Sequence, residues 1–144
     1  MPGHRDGCSH LGGLAVKNRS SLADAGVASA HNAEHTLKFT AVRTEGINFT
    51  SNSGGDQETD VNSAGKAIGF DVVYEKITGK NSATVDAAFL LKGGLLYATA
   101  TTTNGKTFKG TVTGGTGAFK RATGTITAKI ISSKKTAITI TYTT

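Results

Sequence analysis

From His35 onward, apolar and polar residues alternate in short runs rich in Val, Ile, Thr, Phe and Tyr, and Gly, Asn, Asp and Ser separate the runs. A repeat of two sends successive side chains to opposite faces of an extended chain, and β-branched and aromatic residues fit that pleated surface. The pattern predicts strands over about 35–44, 46–51, 66–77, 82–91, 95–103, 106–113, 119–131 and 136–143. Turn chemistry joins them at Lys92-Gly93-Gly94, Asn104-Gly105, Gly114-Gly115-Thr116-Gly117 and Ser132-Ser133-Lys134-Lys135. Asn104-Gly105 favours the left-handed backbone of a two-residue hairpin, so the strands it joins are expected as antiparallel neighbours. Successive hairpins imply a meander, and about eight strands with no covering helix avoid exposed edges best by closing on themselves. The expected fold is therefore all-β: an eight-stranded antiparallel up-and-down β-barrel over residues 35–144, behind an irregular, flexible tail over 1–34. Residues 52–65 are polar and hold three acids, and they are expected as a long loop over one barrel mouth.

Composition narrows the picture. A chain of 144 residues, 37% of them hydrophobic, suits one core, and 19 glycines with a Thr-crowded C-terminal half disfavour helix interiors. The formal net charge of +6 is unevenly spread, because residues 1–74 hold more acids than bases and residues 75–144 hold the whole excess of Lys and Arg. Such a half attracts polyanions weakly or simply aids solubility. Its lysines are not interleaved with stacking aromatics, so nucleic acid is not an expected partner. Cys8 is the single cysteine and excludes an internal disulfide. His4, Asp6, Cys8 and His10 have the composition of a metal site but fall in the expected tail without zinc-type spacing, so no metal and no cofactor are expected. No stretch reaches the roughly 18 apolar residues of a membrane span, and Leu11 to Val16 is too short and too glycine-broken for a signal-peptide core. No membrane partner and a cytoplasmic location are expected, or secretion if a leader has been removed.

Period two also sorts the candidate chemistry. Asp71 and Glu75 share one face of the third strand with Val73, about 13 Å apart along it, while Phe70, Val72 and Tyr74 share the other. The sequence leaves open which face turns inward. With the acids inward, apolar walls raise their pKa values toward the range of a general acid or base, and Arg43 on a neighbouring strand can pair with one of them. With the acids outward, they are ordinary surface carboxylates. The apolar opposite face suits a subunit contact, which favours the first arrangement and a homo-oligomer, dimer or trimer. Phe39, Ala41 and Val73, with Asp86, Tyr97 and Tyr142, are candidate substrate-binding residues, the tyrosines as hydrogen-bond donors to a carbonyl. No Ser/His/Asp or Cys/His set of hydrolase spacing occurs.

The ordered motifs Gly114-Gly115-Thr116-Gly117-Ala118-Phe119 with Ala122 and Gly124, the run HTLKFTAV at 35–42, Gly55-Asp56, and Gly65-Lys66-Ala67-Ile68-Gly69-Phe70-Asp71 resemble those of allene oxide cyclase-like and dirigent-like barrels, as found in bacterial members. The resemblance covers residues 35–144, with an apparent deletion between Asp56 and Gly65. It implies an eight-stranded barrel, often trimeric, with an apolar lumen that folds a flexible substrate. The plant cyclase glutamate, asparagine and cysteine match Ala41, Arg43 and Glu75 here, and the dirigent arginine matches Thr123, so neither plant activity carries over directly. The glycine motif marks the fold rather than a phosphate loop, because no Walker-type Lys-Ser/Thr pair and no helix start follow it. The expected function is a cofactor-independent cyclase or isomerase of natural-product biosynthesis. It would bind a small, flexible, apolar, polyene- or polyketide-like substrate in the lumen and promote stereocontrolled ring closure, with Asp71, Glu75 and Arg43 as catalytic residues. The alternative is a non-catalytic, dirigent-like or ligand-carrying barrel.

Overall fold

A computed structural model describes residues 32–144, and the reading of residues 1–34 as a tail, including His4, Asp6, Cys8 and His10, falls almost wholly outside that range. Eight antiparallel strands run β1 (His35–Thr50), β2 (Ser53–Val61), β3 (Ala67–Ile77), β4 (Ala83–Leu91), β5 (Gly94–Thr102), β6 (Thr107–Gly115), β7 (Thr123–Ser132) and β8 (Lys135–Thr143). Each pairs with its sequence neighbour, and β8 returns to β1 through a register that sets His35 opposite Tyr142 and Val42 opposite Lys135. The barrel is closed, so no strand presents an unpaired edge.

Alternation fixes the interior. Phe39 and Ala41 from β1, Phe89 from β4, Leu96 and Ala98 from β5, Phe108 from β6, Ile126 from β7 and Ile138 and Ile140 from β8 are buried in one core, and Phe39 meets Phe89 edge-on at 5.7 Å. Gly110 lets β6 pass close to β5: a Cβ there would stand 1.8 Å from the Thr99 carbonyl oxygen. The glycine motif closes one end of the barrel. Gly117, at φ 57°, opens a short 3-10 turn (Gly117–Phe119), the Leu95 amide donates to Thr116 Oγ1 at 3.0 Å, and buried Phe119 lies edge-on to Tyr142.

Three segments depart from the sequence reading. Residues 46–51 do not form a separate strand. They continue β1, which accommodates a bulge at Thr44, whose hydroxyl donates to the Gln57 carbonyl. Residues 52–65 are not a long loop, since most of them form β2, hydrogen-bonded on both sides. The Asn104-Gly105 connection spans residues 103–106 rather than two residues. Asn104 works through its side chain, with Oδ1 accepting from the amides of Lys106 and Thr107, while Gly105 supplies the positive φ.

Candidate functional site

The segment Asp56-Gln57-Glu58-Thr59-Asp60 of β2 alternates acid with neutral polar residue, and the barrel turns all three acids inward. Register then sets Glu58 directly opposite Asp71 on β3 and Asp60 opposite Gly69. Asp60 and Asp71 are 0% exposed and Glu58 is 9% exposed. Nothing else in the described residues is so costly, because a carboxylate removed from water without a partner loses several kcal/mol of solvation.

No N–H or hydroxyl group reaches any of the four carboxyl oxygens of Asp60 and Asp71. The polar groups that act on Asp71 are the carboxyls of Asp60 and Glu58. Two carboxyls can hydrogen-bond only when one carries a proton. Burial first, then the proton shared with Asp60 and the negative charges of Asp60 and Glu58, push the Asp71 carboxyl up to about 10, so Asp71 is the protonated member at neutral pH. Asp60 is raised by burial to about 6, with the hydrogen bond from Asp71 opposing the rise. Glu58 is raised by burial, again opposed by a hydrogen bond from Asp71. The three carboxyls therefore titrate as a unit that holds a proton well above the ordinary carboxylate range.

Toward the open end, Arg43 Nη2 donates to Asp56 Oδ2 at 2.6 Å, on a half-exposed guanidinium. Glu75 lies on the same inward face of β3 as Asp71. Burial and the Asp56 charge raise its pKa, and Arg43 lowers it. Inside, a cavity of about 100 Å³ runs between the acids of β2 and β3 and an apolar wall that includes Val85, Phe89, Phe108, Ile126 and Ile138. Arg43, Asp56 and Glu75 also line a polar mouth pocket of about 440 Å³ formed with the β1–β2 turn, so the two spaces meet at these side chains.

Asp71, Glu75, Arg43 and Val73 thus all border the lumen cavity. Phe39, Ala41 and Tyr142 point inward but fill core: Phe39 packs on Phe89, Ala41 is fully buried, and Tyr142 lies between His35 and Phe119 at the closed end. None of the three borders the cavity. Asp86 and Tyr97 do not reach the lumen at all. Asp86 sits opposite Tyr74 and Tyr97 opposite Ala88, on the outward parity of β4 and β5, where they border an outer apolar groove of about 610 Å³ with Phe49, Val72 and Tyr74. Their offset by one residue from the inward Ala87 and Ala98 decides this. The residues that sequence reasoning missed are Asp56, Glu58 and Asp60. Their signal was the strict alternation of DQETD, which a loop does not require. Among the described residues no three His, Cys, Asp or Glu side chains are arranged to hold a metal ion, and no helix is long and apolar enough to cross a membrane.

The fold is that of a known group of barrels. A pterocarpan synthase dirigent protein aligns with a TM-score of 0.64 at 18% identity, over 78% of this chain and 88% of its own. A pyocyanin demethylase aligns at 0.61 and 18% identity, over 75% of this chain and 99% of its own. A Diels-Alderase from Streptomyces koyangensis aligns at 0.58 and 12% identity, over 99% of this chain and 81% of its own. No family model matches the sequence, and no curated protein does. The likeness is one of architecture, a closed barrel of the dirigent and cyclase type.

Proposed function

We propose that this barrel is a cyclase or isomerase that takes a small organic substrate into its lumen and uses the Asp71 proton to promote ring closure. The observation that carries the reading is the Asp71 carboxyl itself, fully buried, bordering a cavity, and reached by no N–H or hydroxyl of the chain. Its proton, shared with Asp60 and Glu58 in the free barrel, turns to the most basic atom of a bound molecule, in the first instance a carbonyl oxygen, and polarises it more strongly in a low-dielectric cavity than it could in water. As the Asp71 proton shifts outward, the negative charge left on Asp71 is balanced by the positive charge developing on the carbonyl beside it, and the charges of Asp60 and Glu58 favour the return of the proton to Asp71 once the ring has closed. The apolar wall supplies the second effect, confinement, which replaces a search over many chain conformations by a few near-attack ones.

The lumen cavity is small, and the mouth pocket extends it to the size range of about 300–1,000 Å³ found for ligand sites. The reacting segment sits beside Asp71 and the remainder of the substrate passes Arg43 and Glu75 to the mouth. The barrels that share the fold include a Diels-Alderase and a dirigent protein, which agrees with chemistry by confinement.

The test is to incubate purified protein with linear conjugated polyenes bearing a carbonyl and to separate products of unchanged mass by chromatography. Ring-closed isomer above background, lost in Asp71→Asn, is the expected result. A product distribution identical with and without protein refutes it, and binding that survives Asp71→Asn and Glu75→Gln with no effect on rate identifies a carrier instead.

A further inference from the structure

The side chains bordering the lumen cavity include four carboxyls, Asp56, Glu58, Asp71 and Glu75, and one guanidinium, Arg43. Arg43 is committed to Asp56 at 2.6 Å. Asp60 stands just behind Asp71 as a further acid. A molecule with a net charge of +6 has therefore gathered its acids on the inside of two adjacent strands. The opposite wall answers them with nothing but apolar side chains, alanines and the threonines Thr99 and Thr136. No N–H or hydroxyl of the described residues reaches the oxygens of Asp71 or Asp60, so one shared proton is all the hydrogen these four oxygens hold.

We infer that the lumen selects a nitrogen base, a compact apolar body carrying an amine that is held as its ammonium form between Asp71 and Glu58. The inference rests on the lumen being the binding chamber and not on Asp71 acting as an acid, since a bound ammonium leaves Asp71 ionised. An ammonium brings N–H donors to the carboxyl oxygens that lack them and a positive charge to the excess of acids. Phe89 and Phe108 also border the cavity and add aromatic surface beside the same cation. A carboxylate or phosphate ligand meets the opposite situation, since nothing on the wall is free to pair with it. The proton balance is simple. If the amine arrives neutral, Asp71 hands it the proton and an ion pair remains. If it arrives as ammonium, the Asp71 proton leaves to water.

Binding of the ammonium form therefore strengthens as pH rises, because the cluster has less proton to give up. The groups that face Asp71 are Glu58 and Asp60 from β2 and Glu75 on its own strand, with Arg43 and Asp56 toward the mouth. β4, opposite on the other side, contributes no titratable inward group.

The experiment uses n-propylammonium and its neutral counterpart 1-propanol, followed by NMR shifts of the Ile126 and Ile138 methyl groups in the intact chain. The ammonium stays protonated throughout, since a primary amine of this type titrates near 10 or above. Expected is saturable binding of n-propylammonium only, about 300-fold tighter at pH 8 than at pH 5.5 for the one proton released over 2.5 pH units, lost in the double variant Asp71→Asn, Glu58→Gln and retained in Asp86→Asn, whose carboxyl is outside. Should the double variant fail to fold, the pH dependence in the unaltered chain decides the matter. Absence of saturable binding, equal binding of 1-propanol, or affinity that falls as pH rises overturns the inference. Because no turnover is involved, a failure here leaves the ring-closure assay standing. Conversely, binding without any ring closure removes the cyclase reading and keeps the amine site.

Discussion

Replacing Asp71 by asparagine tests the buried carboxyl cluster most directly. In the folded barrel Asp71 is raised to about 10 and Asp60 to about 6, whereas in the unfolded chain both titrate near the ordinary aspartate value of 3.8. Between the unfolded and folded values the native state binds a proton that the unfolded state does not, so stability is fully present below pH 3.8 and declines as pH rises toward each folded value. Each group loses about 1.4 kcal/mol per pH unit inside its window. From pH 5 to pH 7, Asp71 contributes a loss of about 3 kcal/mol and Asp60, whose window ends near 6, about 1 kcal/mol more, for a total of about 4 kcal/mol. Asp71→Asn keeps the shape and the donor to Asp60 and deletes the titration, so the larger part of that loss vanishes. Over the three pH units from pH 4, where the two chains should be equally stable, to pH 7, the variant should gain about 4 kcal/mol on the parent chain. Urea midpoints across pH 4–8 for both chains measure this. The paired design cancels every titration the two chains share. Equal slopes in the two chains, or a parent barrel that gains stability from pH 5 to pH 7, would refute the reasoning.

Other outcomes follow from the same geometry. Gly110→Ala forces a Cβ to 1.8 Å from the Thr99 carbonyl, with backbone rather than a flexible side chain in the way, so thermal melting should fall by more than 10 °C, about 3 kcal/mol, or the chain should fail to fold. Phe89→Ala should cost about 3–5 kcal/mol in urea unfolding and enlarge the lumen, broadening the ligands accepted in the NMR titration. Arg43→Ala removes a half-exposed ion pair, so stability should change by less than about 1 kcal/mol. Carbon-13 NMR of the Glu75 carboxyl should nevertheless show it titrating at higher pH, because Arg43 now lowers its pKa.

Much of the barrel is written in the alternation of the chain, and where it was misread the reason is physical. Residues 67–115 show Val, Phe, Leu and Thr on period two between glycine turns, and β3 to β6 fall close to where that pattern puts them. β2 was hidden because its inward positions are Asp56, Glu58 and Asp60, and charge in a strand normally means solvent. The number of strands still came to eight, since dividing β1 at its Thr44 bulge offset the loss of β2. Asp71 and Glu75 were visible as an inward pair only given the parity of the whole barrel, which no single strand reveals. What the sequence could not display was the pairing of Glu58 with Asp71 across two strands. That pairing, rather than either residue alone, makes the site an unusual one for its surroundings.

The seam between β1 and β8 joins residues as far as 107 positions apart, His35 and Tyr142. In the unfolded chain the acids of β2 and β3 stand in water and are ionised at neutral pH. Forming the closed barrel therefore captures at least one proton from the medium, and the long sequence separation across the seam makes that closure topologically slow. Assembly of this molecule thereby doubles as the charging of its own acid.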